Sequence, residues 1–303
     1  MIQQLLDDAV ARSRAMMDGA PAAYIPELAN VPIDRTSAAV TLATGEVVVA
    51  GDHAIHRFTL QSSAKLVVLA GLLEERGEDA VFAVVGAEPT GASFASVAQL
   101  EAQPKPSNPL VNAGAIALVG LLPGNLEDKL AWIEHWSERL YGAKVAVNNR
   151  VWASERRTGD RNRAIAWLLK SAGRVDRVDE VLEAYFALCS LEAGVREASH
   201  LPAVLATGGV RPGSDERLIS ARTAAAVVAL MATCGMYDES GNFLLSTGLP
   251  AKSGVSGVIV AVATGRAGIA VASPRVNPKG GSVRGHAILR DLSRDAGWHF
   301  ALP

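Results

Sequence analysis

The pattern of apolar residues predicts a β-hairpin near each end of the chain. Residues 37–51 contain two β-branched, apolar runs around Thr44-Gly45-Glu46, and residues 255–272 contain two more around Thr264-Gly265-Arg266-Ala267. Short runs of this kind on either side of a glycine turn are typical of paired antiparallel strands. Strands are therefore expected in the first and last thirds of the chain.

Between the hairpins, apolar residues recur every three or four positions, the spacing of one helix face. The predicted central helices cover residues 126–140, 154–169, 178–188, 191–205 and 220–234. The segment 154–169 reads as two helices that meet near Gly159 or Asp160. Helical patterns also occupy residues 1–17 and 283–292.

This order of elements predicts an α+β fold. Hairpins from both chain ends can join one antiparallel sheet with flanking helices, while the central helices form a second lobe. We predict a single domain over residues 1–303, with a sheet lobe at about 1–75 and 236–303 and a helical lobe at about 76–235. A pocket is expected where the lobes meet.

Composition and charge exclude several classes of partner. The formal net charge is -2 and no block of like charges occurs, so nothing favours nucleic acid or an anionic membrane. No apolar run is long enough to span a membrane. Residues 1–17 are amphipathic and lack the continuous apolar region of a signal peptide. We therefore expect a cytoplasmic protein without nucleic-acid or membrane partners.

The cysteines and histidines do not predict a metal site. Cys189 and Cys234 show no metal-ligand or redox spacing, and the six histidines are scattered. Both thiols are interpreted as buried core residues, and neither a metal nor a cofactor is expected.

The first candidate catalytic motif is Ser62-x-x-Lys65, which follows a short extended stretch at residues 58–61. The motif stands at the start of a predicted helix that is expected to end near Glu75. Residues three apart share a helix face, so the Ser62 hydroxyl and the Lys65 amine can meet. Lysine activates a serine nucleophile only while its amine is neutral. The alternative is a helix-capping serine followed by a surface lysine, and this motif alone leaves both open.

Residues 88–109 lose regular periodicity and contain several prolines, which indicates a long loop of the kind that is often functional. The small residues that follow predict a buried helix beginning near Asn112. A buried amide needs hydrogen-bond partners. Asn112 is therefore either a helix cap or a substrate contact.

A second motif, Lys252-Ser253-Gly254, stands at a predicted strand before the last hairpin. Ser-x-x-Lys at a helix start, with Lys-Ser/Thr-Gly late in the chain, is the combination found in serine β-lactamases and penicillin-binding proteins. The occurrence of both motifs in this order favours Ser62 as an acylation site. It does not choose a substrate.

Seven short motifs between about Tyr24 and Gly285 narrow the choice. They are Tyr24-Ile25-Pro26-x-Leu28-Ala29, Gln61-Ser62-x-x-Lys65, Asn108-Pro109-x-x-Asn112-Ala113-Gly114-Ala115-Ile116, Ser154-Glu155-x-x-x-Gly159-Asp160-Arg161-Asn162, Tyr185-Phe186-x-Leu188-Cys189-Ser190, Cys234-Gly235-Met236-Tyr237-Asp238-x-Ser240-Gly241 and Gly248-Leu249-Pro250-Ala251-Lys252-Ser253-Gly254-Val255. Together they resemble the serine-dependent, β-lactamase-like glutaminase family. The resemblance covers most of the chain and implies a β-lactamase/transpeptidase-like fold.

The resemblance also implies an activity. It implies an amidohydrolase that converts L-glutamine to L-glutamate and ammonia without a cofactor, and a homo-oligomer that is a tetramer or a dimer. By position in the motifs, Ser62 resembles the nucleophile and Lys65 its base. Tyr237 and, ranked below it, Tyr185 resemble the residues that transfer protons or position Ser62.

The family's substrate contacts fall on Tyr24, Ser62, Asn112, Glu155, Asn162, Tyr185, Tyr237 and Val255. In such a pocket, Glu155 suits the α-ammonium of glutamine, and Asn112 and Asn162, with Tyr24, suit its α-carboxylate. Backbone N–H groups of Ser62 and Val255 would form the oxyanion site.

The chain departs from the family pattern at Phe94-Ala95-Ser96, where Phe-Asn-Ser is common, and at Ala64. Two alternatives remain at this stage. The first is a β-lactamase- or transpeptidase-like serine hydrolase, which the missing export signal disfavours. The second is a catalytically silent glutamine-binding protein, which the presence of Ser62, Lys65 and both tyrosines disfavours.

Overall fold

The computed structural model describes residues 1–90, Leu100 and residues 104–302. Phe94-Ala95-Ser96, and with it part of the long loop expected at 88–109, lies outside the described residues.

The strands form two antiparallel sheets. They are β1 (Ser37–Leu42), β2 (Val47–Gly51), β3 (Phe58–Thr59), β4 (Ala146–Val147), β5 (Leu191–Ala193), β6 (Ala251–Gly254), β7 (Val258–Ala263) and β8 (Ala267–Ala272). The main sheet has the order β2-β1-β8-β7-β6, and the small sheet has the order β3-β5-β4. Strands from both chain ends meet where β1 pairs with β8, with Val40 opposite Ile269. Both hairpins and the shared sheet are therefore confirmed.

Helices surround this sheet. They are α1 (Ile2–Ser13), α2 (Pro26–Ala29), α3 (Lys65–Val84), α4 (Asn112–Gly120), α5 (Leu126–Tyr141), α6 (Asn149–Thr158), α7 (Asp160–Ser171), α8 (Val178–Cys189), α9 (Val195–Ala198), α10 (His200–Ala206), α11 (Ala221–Cys234), α12 (Ser240–Thr247) and α13 (Val283–Ala296). The predicted joint at Gly159 is confirmed, since it separates α6 from α7.

No helix in the described ranges is long and apolar enough to cross a membrane.

The main sheet is buried on both faces, which explains its nearly continuous apolar strands. Successive side chains of a strand point to opposite faces. Ile259 and Ala261 of β7 accordingly pack in a core with α1 and α13, while Val258, Val260 and Val262 pack in a larger core with the central helices. The sheet therefore lies between the terminal helices and the central helices.

One predicted helix is wrong at its start. Residues 191–205 were expected to form a single helix, but they contain β5 followed by α9 and α10. The middle strand β5 pairs with β3 on one side and β4 on the other. These non-local hydrogen bonds override the helix propensity of Leu191-Glu192-Ala193. The extended stretch expected at 58–61 is shorter, and β3 joins this small sheet rather than the main one.

Helix α3 is longer than the expected end near Glu75. It reaches Val84, with a break at Gly77, whose φ of +76° suits glycine. The break is close to the expected boundary between the lobes. The division into a sheet lobe and a helical lobe stays a prediction.

Candidate active site

A cavity of about 250 Å³ lies between the end of β3, the start of β6–β7 and the central helices. Its lining residues are Tyr24, Gln61, Ser62, Asn112, Glu155, Thr158, Gly159, Arg161, Asn162, Tyr185, Cys189 and Val255. Pockets for drug-sized ligands usually have about 300–1,000 Å³, so this cavity suits a molecule the size of an amino acid. Most of the side chains expected at the site therefore share one cavity.

Ser62 lies in a 3₁₀ turn, Gln61–Ala64, directly before α3. It does not cap α3, whose N-cap is Ala64. Side chains three positions apart eclipse each other in a 3₁₀ turn, so this geometry places the Ser62 and Lys65 side chains on one face. Gln61 has a φ of +49°, a left-handed conformation that costs a non-glycine residue about 1–3 kcal/mol. The backbone is thus strained next to the candidate nucleophile.

Lys65 is almost completely buried. Its Nζ donates to the Leu110 carbonyl at 3.2 Å and to Asn112 Oδ1 at 2.7 Å. Burial lowers the pKa of Lys65 from 10.5 to about 8. A neutral amine has two N–H donors, which these two acceptors satisfy, and a lone pair that remains for a proton.

A second buried amine, Lys252 on β6, stands close to the first. Its Nζ donates to the Ser253 carbonyl at 2.8 Å and lies 4.0 Å from the ring centroid of Tyr237. Burial, and then the charge of Lys65, hold the pKa of Lys252 well below its usual range. Two like charges in one buried site oppose each other, so the pair does not readily hold two positive charges.

The two tyrosines have different partners. The phenol of Tyr237 lies near Ser62, and the phenol of Tyr185 lies near Cys189. Burial raises the pKa of both phenols, so both stay protonated at neutral pH. Burial also raises the pKa of the Cys189 thiol to about 12, which makes it a poor nucleophile. Tyr237 adjoins the cavity through Ser62, whereas Tyr185 lines it.

Glu155 on α6 is a buried carboxylate that lines the same cavity. Tyr24 Oη lies 2.8 Å from Glu155 Oε1 and 2.8 Å from Gln61 Oε1. Within the described residues, no lysine or arginine forms an ion pair with Glu155, and burial raises its pKa. A buried anion without a cation is unfavourable, so this wall of the cavity suits a bound ammonium group.

Two asparagines connect this cavity to Lys65. Asn112 Nδ2 donates to Asn162 Oδ1 at 3.0 Å, while Asn112 Oδ1 accepts from Lys65. The helix cap of α4 is Val111, so capping does not explain Asn112. A Cβ on Gly114 would lie 1.9 Å from the Asn108 carbonyl oxygen, so only glycine lets the start of α4 approach this closely.

Val255 follows β6 and reaches the cavity because β6 passes very close to the 3₁₀ turn. A Cβ on Gly254 would lie 2.6 Å from the Leu60 carbonyl oxygen, so a side chain there would push the strand away from Ser62. The structure therefore brings the backbone after Gly254 beside the start of α3.

Several lining residues were not predicted as site residues: Gln61, Thr158, Gly159, Arg161 and Cys189. Cys189 is buried as expected, but it also lines the cavity. Helical spacing could have found it, because Cys189 is four residues after Tyr185 on α8 and shares its face. Lys252 belongs to a motif that the sequence shows, yet its position beside Tyr237 depends on the sheet.

The comparisons with known proteins agree across sequence and structure. The family model described as Glutaminase matches residues 19–300. A protein named Glutaminase from Legionella pneumophila (strain Corby) is 49% identical over 302 residues, which are 99% of this chain and 97% of that protein. Glutaminase 2 from Clostridium perfringens (strain 13 / Type A) is 38% identical over 97% of this chain and 98% of its own length. The solved structure of probable glutaminase ybaS has a TM-score of 0.94 at 40% identity, covering 98% of this chain and 96% of that one.

Proposed function

This chain belongs to the glutaminase family, and we propose that it hydrolyses the side-chain amide of L-glutamine through an acyl-enzyme on Ser62. The products are L-glutamate and ammonia, and the enzyme is an amidohydrolase. The observation that carries the mechanism is a single cavity lined by Ser62, which stands three residues before the buried amine of Lys65, and by the carboxylate of Glu155, for which the described residues supply no ion-pair partner.

In the proposed complex, the two ends of glutamine bind to different walls. The α-ammonium pairs with Glu155, while Asn112, Asn162 and the Tyr24 hydroxyl receive the α-carboxylate. The side-chain amide then extends toward Ser62. Tyr185 packs against the substrate from α8.

The proposed acylation step begins when neutral Lys65 takes the proton of Ser62. Ser62 Oγ attacks the amide carbon, and the backbone N–H groups of Ser62 and Val255 hold the oxyanion. Tyr237, whose phenol is protonated, donates a proton to the leaving nitrogen. The carbon–nitrogen bond breaks and ammonia departs.

Tyr237 regains its proton from Lys65, and the nearby Lys252 makes the protonated state of Lys65 unfavourable. Neutral Lys65 then takes a proton from water as that water attacks the glutamyl ester. The ester bond breaks, Lys65 returns the proton to Ser62 Oγ, and glutamate leaves. One water molecule is consumed for each amide hydrolysed.

The activity is tested by incubating the protein with L-glutamine, L-asparagine and a chromogenic β-lactam. We expect ammonia from L-glutamine, because the cavity pairs an ammonium site with an acylation site. Hydrolysis of the β-lactam without ammonia release would instead identify a β-lactamase-like serine hydrolase. If calorimetry detects L-glutamine binding but no ammonia is released, the chain would be a catalytically silent glutamine-binding protein.

Glu155→Gln tests the ammonium site. We expect KM for L-glutamine to rise about tenfold to hundredfold, with a smaller change in kcat, because the variant loses a buried charge pair with the substrate. Steady-state ammonia release measures both constants. Glu183→Gln is the control, since Glu183 pairs with the exposed Arg156 on the protein surface. A KM that stays at the wild-type value in Glu155→Gln would contradict the assignment.

We also propose, from the family resemblance, that the protein acts as a homo-oligomer, a tetramer or a dimer, in the cytoplasm. Sedimentation equilibrium of the full chain measures the oligomeric state. A monomer at the concentrations used for activity would reject the proposal of an oligomer.

A further inference from the structure

The turn that carries Tyr237 has a backbone conformation that needs support. Tyr237 begins the 3₁₀ turn Tyr237–Glu239 with a φ of +56°. A bulky residue in this left-handed region persists only where its surroundings hold it. Ser240 supplies local support, because its Oγ donates to the Tyr237 carbonyl at 2.9 Å and accepts from the Met236 N–H at 3.1 Å.

A loop from the other end of the chain provides further support. This loop, residues 277–281, precedes α13 and is closed by Asn277. Asn277 Oδ1 accepts from the N–H groups of Lys279 at 2.9 Å and Gly281 at 3.0 Å. The side-chain oxygen of Asn277 is therefore hydrogen bonded within the loop, and its Nδ2 can donate to a group outside the loop.

Asn277 Nδ2 donates to Glu239 Oε1 at 2.8 Å, and Glu239 is the last residue of the Tyr237 turn. The loop fits closely against this turn: a Cβ on Gly281 would lie 2.7 Å from Glu239 Oε2. The loop also lies against Val255, the residue proposed to hold the oxyanion, since a Cβ on Gly280 would lie 3.3 Å from Val255 Cγ1. One loop therefore contacts both Glu239 of the Tyr237 turn and Val255, which lines the cavity together with Ser62.

We propose that Asn277 is a positioning residue, which holds Glu239 and thereby keeps the Tyr237 phenol in reach of Ser62. The inference rests on the proposed function and extends it to residues outside the cavity. Neither Asn277 nor Glu239 lines the substrate cavity. Loss of the contact should therefore lower kcat and leave KM nearly unchanged.

The charges around Glu239 allow a substitution that disrupts only the contact between the loop and the turn. Asp238 is paired with Lys279 at 2.8 Å, and His286 lies beside Glu239 with its pKa lowered by burial. Asn277→Asp keeps the acceptor oxygen that closes the loop. It replaces the amide donor by a carboxylate that faces Glu239, so the loop stays closed while its hold on the turn is lost.

We expect Asn277→Asp to lower kcat about tenfold or more, with KM within about twofold of wild type, because small misplacements of a reacting group reduce rates strongly. Adding Glu239→Gln should restore most of kcat, because the new amide can donate to the new carboxylate and the hydrogen bond reverses its direction. Asn242→Asp is the matched control: it makes the same change at an exposed position close to the turn, and wild-type kcat is expected.

Recovery of kcat in the double variant supports the proposal, since a merely unfolded loop would not be rescued by Glu239→Gln. An unchanged kcat in Asn277→Asp, a rise in KM in place of the fall in kcat, or a folded double variant without recovery would each overturn it. If the wild-type protein releases no ammonia, the proposed function fails separately. Hydrogen exchange over residues 236–241 then decides: faster exchange in Asn277→Asp that the double variant reverses supports the contact, and unchanged exchange overturns it.

Discussion

Ser62→Ala is expected to abolish ammonia release and to leave glutamine binding almost intact. The substitution removes only the hydroxyl that attacks the substrate, so kcat should fall by about 10⁴-fold or more. The groups that bind the substrate lie on other elements: Glu155 on α6, Asn112 on α4 and Asn162 on α7. Ammonia release and calorimetric titration with L-glutamine measure the two effects separately.

Ser63→Ala is the matched control for this prediction. Ser63 is buried next to Ser62, but its hydroxyl donates to the Leu60 carbonyl at 2.6 Å and does not line the cavity. We expect a loss of about 1 kcal/mol in the free energy of unfolding, with activity retained. Near-normal turnover in Ser62→Ala would rule out the acyl-enzyme. In the wild-type protein, acid quenching during turnover should leave a glutamyl group on Ser62, detectable by mass spectrometry.

The elements that the sequence predicts correctly are those whose patterns are set by local geometry. The continuous apolar run of β7 reflects burial on both faces of the sheet, and the three-to-four spacing in α5 reflects one buried helix face. Both patterns can be recognised in a short window. The segment β5 could not be recognised in this way. Its three residues are extended because β3 and β4 hydrogen bond to both of its edges, and those strands lie far away in the sequence.

The candidate site shows the same division between residue identity and environment. Motifs identify Ser62, Lys65 and Tyr237 as candidates, but they do not report the left-handed backbone of Tyr237 or the burial that lowers the pKa of Lys65. The Tyr237 turn is held by Ser240 and by the loop at residues 277–281, and Lys65 is buried beside the start of α4. Lys252 illustrates the limit: its motif is visible in the sequence, whereas its distance to the Tyr237 ring follows only from how β6 packs.

Lys65→Met is expected to remove activity without destabilising the fold. The lowering of its pKa from 10.5 to about 8 corresponds to about 3 kcal/mol that disfavours the buried charged amine. Methionine avoids that penalty. It also leaves the Leu110 carbonyl oxygen and Asn112 Oδ1 without their hydrogen-bond donor, and each unsatisfied acceptor lowers the free energy of unfolding by about 1–3 kcal/mol. These opposing effects are of similar size, so the melting temperature should change little while kcat falls about 10³-fold or more.

The pH dependence separates the role of Lys65 as a base from a role in binding. Because the base must be neutral, kcat/KM of the wild-type protein should rise with pH through about 8 and then level off. The pKa of Lys65 is lower in the folded than in the unfolded state, so the folded protein binds fewer protons between pH 8 and 10.5. In this window the stability of the wild type should rise with pH relative to Lys65→Met, whereas below pH 8 the difference should be constant.

Lys144→Met provides the control for both measurements, since Lys144 is exposed and pairs with Glu134 on the surface. It should show wild-type activity and the wild-type pH profile, because an exposed ion pair contributes little. A wild-type profile that is flat between pH 6 and 9, together with an inactive Lys65→Met, would mean that Lys65 holds Asn112 and the cavity in place rather than accepting the proton of Ser62. If kcat/KM rises through about pH 8, and the stability difference between wild type and Lys65→Met begins to change at the same pH, the catalytic base and the buried amine are the same group.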